Sequence, residues 1–167
     1  MSIEQLLKRV GVLETIKIFK GPVINDPIKM ILAREKWISL IHLYEAGLPV
    51  PRTIITENPY TAMRALQKYE RAVFKPPIGS LGLGSILVNN PDIGYRLTRS
   101  LLAFKQPAYI QEYIEKPGYD IRVFVVGDIA IAAMKRVVSE GWKTNIARGA
   151  KGVKLSEKED PEAYELA

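Results

Sequence analysis

The chain has 167 residues, 24 Lys and Arg against 18 Asp and Glu, a formal net charge of +6, and no Cys. Hydrophobic residues at 47% and charged residues at 25% are the proportions of a packed chain, not a disordered one, and the length suits one domain or two small lobes. Without Cys there is no disulfide framework, thiolate metal site or Cys nucleophile, and the single His, His42, excludes a His-based metal cluster.

Ser2 with Gln5 reads as a capping box, and Ile3, Leu6, Leu7 and Val10 follow at helical spacing. A short extended piece at Val23 and Ile24 ends at Asn25. Asp26-Pro27 combines a side-chain cap with Pro at the first helical position. The helix it opens carries Trp37, Leu40, Ile41 and Tyr44 as an apolar stripe, read as core, and Gly47 stops it. Pro49 and Pro51 bracket a turn into a strand over residues 52–56. Asn58-Pro59 opens a helix with Ala62, Met63 and Leu66 inward. Residues 71–75 form a strand, 76–84 a loop and 85–88 a second strand. Asn90-Pro91 opens a helix carrying Leu97, Leu101 and Leu102. Residues 109–114, 120–126 and 129–138 are three β-rich runs, expected as an antiparallel meander, with a tight turn at Gly127-Asp128. Ser156 with Glu159 marks a last helix start.

This order defines an α+β class. The expected divisions are a helical segment over residues 1–51, a strand–helix–strand–loop–strand–helix lobe over 52–106, and a lobe carrying the meander over 107–167. Strands and helices do not alternate regularly, so a doubly wound nucleotide fold is not expected. No apolar run approaches the roughly 20 residues of a membrane span. The N-terminus lacks a basic-then-apolar leader, so a cytoplasmic address is expected. The positive balance fits either a solvated surface or an anionic partner, and the positions of the basic residues must choose.

The most informative stretch is Lys75 followed by Pro76, Pro77, Ile78, Gly79, Ser80, Leu81, Gly82, Leu83, Gly84 and Ser85. Glycine lets a backbone approach an anion closely, and a Lys at the end of the preceding strand supplies a point charge for phosphate. A P-loop needs Gly-Lys-Ser/Thr and then a helix; here Gly84-Ser85 leads into a strand. A dinucleotide fingerprint also needs a helix. A strand–loop–strand flap over phosphates fits, although the kinase catalytic motifs are absent. The alternative is a Gly-rich hairpin with no ligand.

Further on, Gln111-Glu112-Tyr113-Ile114 alternates polar and apolar side chains. Asp120 and Arg122 share a face of the next strand, and Arg136 ends the hairpin's second arm. Lys143, Asn145 and Arg148 follow in a loop. Singly, each reads as a solvent-facing residue of a half-buried sheet. Together they gather cations and amides near one sheet edge, with an acid beside them. His42, with no second His, reads as a surface or packing residue.

These stretches, in this order, resemble the ATP-grasp carboxylate–amine ligases, and within them the RimK/LysX group. That group includes ribosomal-protein glutamate ligases, enzymes of amino-group-carrier lysine synthesis, and glutamate ligases acting on coenzymes. The resemblance runs from about Gly21 to the C-terminus. It implies an ATP-grasp fold, with a flap lobe and part of the central antiparallel-sheet lobe. It also implies ATP and Mg²⁺ as cofactors, and a carboxylate acceptor and an amino-acid amine as substrates. Lys36 and Lys75 match the two phosphate-contacting lysines, although the family usually has Asp where Glu35 stands. Gly79, Ser80, Leu81, Gly82, Leu83, Gly84 and Ser85 match the flap over the β- and γ-phosphates. Glu112, Tyr113 and Ile114 match the hinge that holds adenine, mostly through backbone groups. Asp120 matches the acid on the ribose hydroxyls. Arg136, Lys143 and Asn145 match residues around the γ-phosphate and the acceptor carboxylate, with Arg136 and Asn145 in catalytic roles.

In the family the metal ligands are an Asp, then a Glu, then an Asn two residues later, in a segment beyond the position of Ala167. No metal ligand is assigned in this chain. The family also carries a further α/β domain before the position of Gly21. The chain is therefore expected to be a middle portion of a ligase, with weak nucleotide binding and little activity alone. An exposed sheet edge is expected to drive self-association or pairing with a second chain. The alternatives are a basic nucleic-acid-binding module, which needs an extended basic stripe, and a non-catalytic partner subunit.

Overall fold

The computed structural model describes residues 3–78, 83–138, 141–146 and 149–167. The chain divides into two compact units, Met1–Val50 and Pro51–Ala167.

The first unit is helical: α1 (Ile3–Lys20), α2 (Pro27–Arg34) and α3 (Lys36–Glu45). Ser2 of the expected capping box lies outside the described residues, and Val23 and Ile24 are irregular rather than strand. Asp26 caps α2 by accepting from the Ile28 and Lys29 N–H groups, both at 3.0 Å, while its other oxygen takes the Lys17 ammonium. One helix was expected to run through residues 27–46; two form. Glu35 has extended backbone, with ψ at 115°, and its carboxylate accepts from the Ile38 N–H at 2.6 Å, so it ends α2 and caps α3. The apolar stripe read as core is not one: α3 has no buried residue and Tyr44 is 68% exposed. Trp37 and Leu40 are half-buried, so the stripe is enclosed only in part.

The second unit contains two sheets. The first is built from β1 (Thr53–Thr56), α4 (Pro59–Tyr69), β2 (Ala72–Lys75), β3 (Ile86–Val88), α5 (Pro91–Ala103) and β4 (Ala108–Glu112). Asn58 and Asn90 cap α4 and α5, each accepting two backbone N–H groups ahead of a Pro at the first turn. The strand order is β1-β4-β2-β3, and every pair is antiparallel. One sheet face meets the two helices and forms the core of Ala62, Leu66, Ala72, Phe74, Val88, Ala108 and Ile110. Each of the large side chains contributes about 1.5–3 kcal/mol by leaving water. Gly94 of α5 is packed so closely on α4 that a Cβ there would lie 2.1 Å from Leu66 Cδ1.

The expected three-strand meander is corrected here. β4 pairs with β1 and β2 and not with the following strand. Four successive buried residues, Ala108, Tyr109, Ile110 and Gln111, mark a strand flanked by β1 and β2, with Ala108 and Ile110 turned to the helix-covered core.

The second sheet is β5 (Tyr119–Val126), β6 (Ile129–Val137) and β7 (Lys151–Leu155), antiparallel in that order. Val126 pairs with Ile129, so Gly127-Asp128 is a two-residue turn, with Gly127 at φ +63°. Strand β7 was not anticipated, because Lys-Gly-Val-Lys-Leu is poor in β-formers; Leu155 anchors it at 3% exposure. Ser156 and Glu159 do form a hydrogen-bonded turn, at 2.8 and 2.6 Å. The helix itself, α6 (Pro161–Glu165), starts later, behind an Asp160 cap. Among the described residues no helix is long and apolar enough to cross a membrane.

Candidate functional site

The face of the first sheet opposite the helices carries the polar residues. Register puts Val73 beside Gln111, Gln111 beside Thr53, and Lys75 beside Tyr109, so these side chains share that face. Gln111 is 8% exposed. Its Nε2 donates to Thr53 Oγ1 at 2.9 Å, and its Oε1 accepts from the Lys75 ammonium. With its amide oxygen fixed in this way, Gln111 aims Lys75, which stands where β2 ends and the glycine loop begins.

Beside Lys75 is a cavity of about 210 Å³. Val73, Gln111 and Ile114 line it, Tyr113 and Trp142 supply aromatic walls, and Lys116 adds a second cation. The Tyr113 and Trp142 rings meet edge-on, with centroids 6.2 Å apart at 85°. The Arg71 guanidinium lies 4.3 Å from the Tyr113 ring centroid, and the Tyr113 N–H donates to the Arg71 carbonyl at 2.9 Å.

Glu112 also borders the cavity, but its register partner is Ala72, a core residue. Its carboxylate turns to Arg52, accepting from the Arg52 backbone N–H at 2.7 Å and from its Nε. Burial pushes the Glu112 carboxyl up, and the Arg52 hydrogen bonds and charge outweigh this and hold it below the usual value. Its charge is thus neutralised by Arg52, while Lys75 and Lys116 bring positive charge to the cavity wall. Such a wall suits an anionic group on a flat apolar body.

The second sheet contributes an ion pair. Arg136 Nε and Nη2 donate to the two oxygens of Asp120, each at 2.7 Å, with both side chains largely buried. The Thr144 hydroxyl donates to Asp120 Oδ2 and accepts from Lys116 Nζ at 3.1 Å. Burial raises the Asp120 carboxyl, but its bonds from Arg136 and Thr144, with the Arg136 and Lys116 charges, hold it below its ordinary 3.8. Lys143 Nζ donates to the Ser85 carbonyl at 2.6 Å and lies 5.1 Å from the Trp142 ring centroid. Asn145, half-buried, follows Thr144.

The second unit therefore brings together Lys75, Glu112, Tyr113 and Ile114 around one cavity, and joins Asp120 to Arg136 and Lys143 to Ser85. Leu83 is exposed and Gly84 has φ +72° beside Pro76. Gly79, Ser80, Leu81 and Gly82, and also Arg148, lie outside the described residues. Lys36 belongs to the first unit, where burial, opposed by Glu35, lowers its pKa. Sequence reasoning did not single out Gln111, Lys116, Trp142 or Thr144 for the site. All four lie inside or beside the motifs it used. Among the described residues no three His, Asp or Glu side chains gather to hold a metal ion.

The sheets and helices of the chain follow the ATP-grasp fold. A RimK domain ATP-grasp protein from Sphaerobacter thermophilus superposes with a TM-score of 0.71 at 17% identity, over 95% of this chain and 57% of that one. The ATP-grasp ligase PsnB, complexed with a phosphomimetic precursor variant, Mg and ADP, superposes at 0.67 with 25% identity, over 98% and 50%. The sequence pattern of the RimK-like ATP-grasp domain matches residues 33–167, and the chain belongs to this family. It is 36% identical to the tetrahydromethanopterin:alpha-L-glutamate ligase of Methanocaldococcus jannaschii, over 87% of this chain and 52% of that protein. It is also 36% identical to the alpha-aminoadipate–LysW ligase LysX of Saccharolobus solfataricus, over 87% of this chain and 54% of that protein. The chain thus spans about half the length of the curated relatives it matches.

Proposed function

We propose that the chain forms the nucleotide-binding part of an ATP-dependent carboxylate–amine ligase that joins glutamate or a similar amino acid to a carboxylate acceptor. The observation that carries this reading is Lys75, held by Gln111 at the mouth of the glycine loop and beside the Tyr113–Trp142 cavity. Bound there, ATP supplies a phosphoryl group that turns a carboxylate into an acyl phosphate, from which the amine displaces phosphate to leave an amide.

In this reading the base lies against Val73, Tyr113 and Trp142 and meets the backbone of residues 112–114. Lys75 and Lys116 offset phosphate charge, while the family resemblance gives a like role to Lys36 and the cover over the phosphates to residues 79–85. Asp120 takes the ribose hydroxyls. Three of the roughly four lone-pair positions of its carboxylate are committed to Arg136 and Thr144, so one is left for that contact. Arg136, Lys143 and Asn145 steady the charge that builds on the moving phosphoryl group and the acceptor. Magnesium, present with ADP in the PsnB complex, finds no carboxylate cluster among the described residues, so no step through it is assigned to them. The reading keeps the cytoplasmic address.

Calorimetry with Mg-AMPPNP tests the reading. Lys75→Ala is expected to weaken binding about ten- to a hundredfold, the range for a lost hydrogen bond to a charged group. Equal affinity in the two proteins overturns the assignment. Chain alone, supplied with ATP and a carboxylate, is expected to release little ADP. The reading also includes a second copy over the tip of the β5–β6 hairpin, where Val126, Ile129 and Ile131 are 64%, 67% and 60% exposed.

A further inference from the structure

We propose that Thr144 is a positioning residue: its buried hydroxyl pins residues 142–145 so that Trp142 walls the cavity while Lys143 clasps the base of the glycine loop. The functional consequence rests on the cavity being a nucleotide site; the pin itself is a property of the chain without ligand.

Thr144 is 4% exposed although it lies outside any strand or helix. A threonine buried in irregular backbone needs partners for its hydroxyl, and this one has two charged ones. It donates to Asp120 of β5 and accepts from Lys116, in the connection that leaves β4, at 3.1 Å. Asp120 is in turn held at both oxygens by Arg136 of β6. One hydroxyl thus joins the exit from the first sheet to two strands of the second.

The neighbours of Thr144 in the chain reach in other directions. Trp142 meets Tyr113 edge-on and lines the cavity. Lys143 donates to the carbonyl of Ser85, where the glycine loop closes on β3, at 2.6 Å. Three consecutive residues therefore touch the base-sized cavity, the loop base and the buried ion pair. If the pin is released, the wall and the clasp lose their anchor together. With the pin in place, a ring entering against Trp142 is felt at Ser85 through a single peptide segment, which ties occupancy of the cavity to the Lys143–Ser85 contact.

The two Trp residues of the chain are Trp37 and Trp142, so Trp37→Phe leaves Trp142 as the one Trp emitter, excited selectively over the eight Tyr. In that background Thr144→Val keeps the side-chain shape and removes the hydroxyl. Without ligand, it is expected to move Trp142 emission to longer wavelength and to speed deuterium uptake at residues 84–86 about tenfold. Thr144→Ser, which restores the hydroxyl, is expected to restore both signals. A Thr144→Val protein with the parent's emission and uptake overturns the proposal. So does a Thr144→Ser protein as perturbed as the valine variant, because the methyl group would then be the determinant. Should Thr144→Val lose cooperative melting, Lys143→Met reads the clasp: faster uptake at 84–86 with parent emission supports it, and parent uptake overturns it. AMPPNP titration of the parent judges the cavity separately, since failure to bind there overturns the nucleotide reading and leaves the ligand-free signals to decide the pin.

Discussion

Asp120 keeps its charge in a largely buried position because Arg136 and Thr144 meet its oxygens. A carboxyl depressed in the folded chain adds stability above its unfolded value near 3.8 and loses it as pH falls through the lower folded value. Asp120→Asn is therefore expected to cost on the order of 2 kcal/mol at neutral pH. The gap to the parent should shrink as pH falls below 3.8 and through the lower folded value, where Asp120 becomes neutral as Asn already is. Urea unfolding at several pH values checks this, and a gap that does not change with pH would show that the ion pair is not its source. At this scale the sequence was informative about type and silent about partner. Lys75, Asp120 and Arg136 are in view as polar residues in β-rich stretches, and Lys143 in the loop that follows. That Asp120 holds Arg136, that Gln111 aims Lys75, and that Glu112 turns away to Arg52 follow from register. Register depends on pairings as much as 58 residues apart.

Local signals decide where most elements begin. Asp26-Pro27, Asn58-Pro59, Asn90-Pro91 and Asp160-Pro161 each open a helix with an Asx cap. Three were legible as such, and the fourth was hidden behind the Ser156–Glu159 pair, which makes a turn of its own. What local signals do not carry is which strand lies beside which, and that is why β4 was assigned to the wrong sheet. The junction of α4 and α5 shows how tightly the first sheet's helices are fitted. Gly94 is buried, and a Cβ there would collide with Leu66, itself 1% exposed and without room to swing. Gly94→Ala is expected to cost about 1–3 kcal/mol by overpacking. Combined with Leu66→Ala, which opens the space, its cost should fall well below the sum of the single changes. Additive costs in denaturant titrations would mean that the two residues do not share that space.

The molecule as a whole combines a first sheet with a closed core and a second sheet that shows apolar residues at its hairpin end. Strand order leaves β5 at an edge, with β6 as its neighbour. Ile129→Glu with Ile131→Glu is expected to reduce self-association in sedimentation velocity without lowering the melting temperature, since both side chains are exposed. A parent that sediments as a monomer at all concentrations would remove the second copy from the proposal. The fold class was legible from the order of caps, turns and β-rich runs. The interior position of β4 was not, and it has a consequence for how the protein is made. Thr53 waits for Gln111, its partner 58 residues later, before β1 can join the sheet. A chain leaving the ribosome from its N-terminus can form α4, α5 and the β2–β3 hairpin early. It must hold β1 unpaired until β4 emerges and slots between β1 and β2. The strand that carries Gln111 and leads into the cavity's aromatic wall is thus the last piece of the first sheet to be synthesised, and the cavity cannot assemble before it.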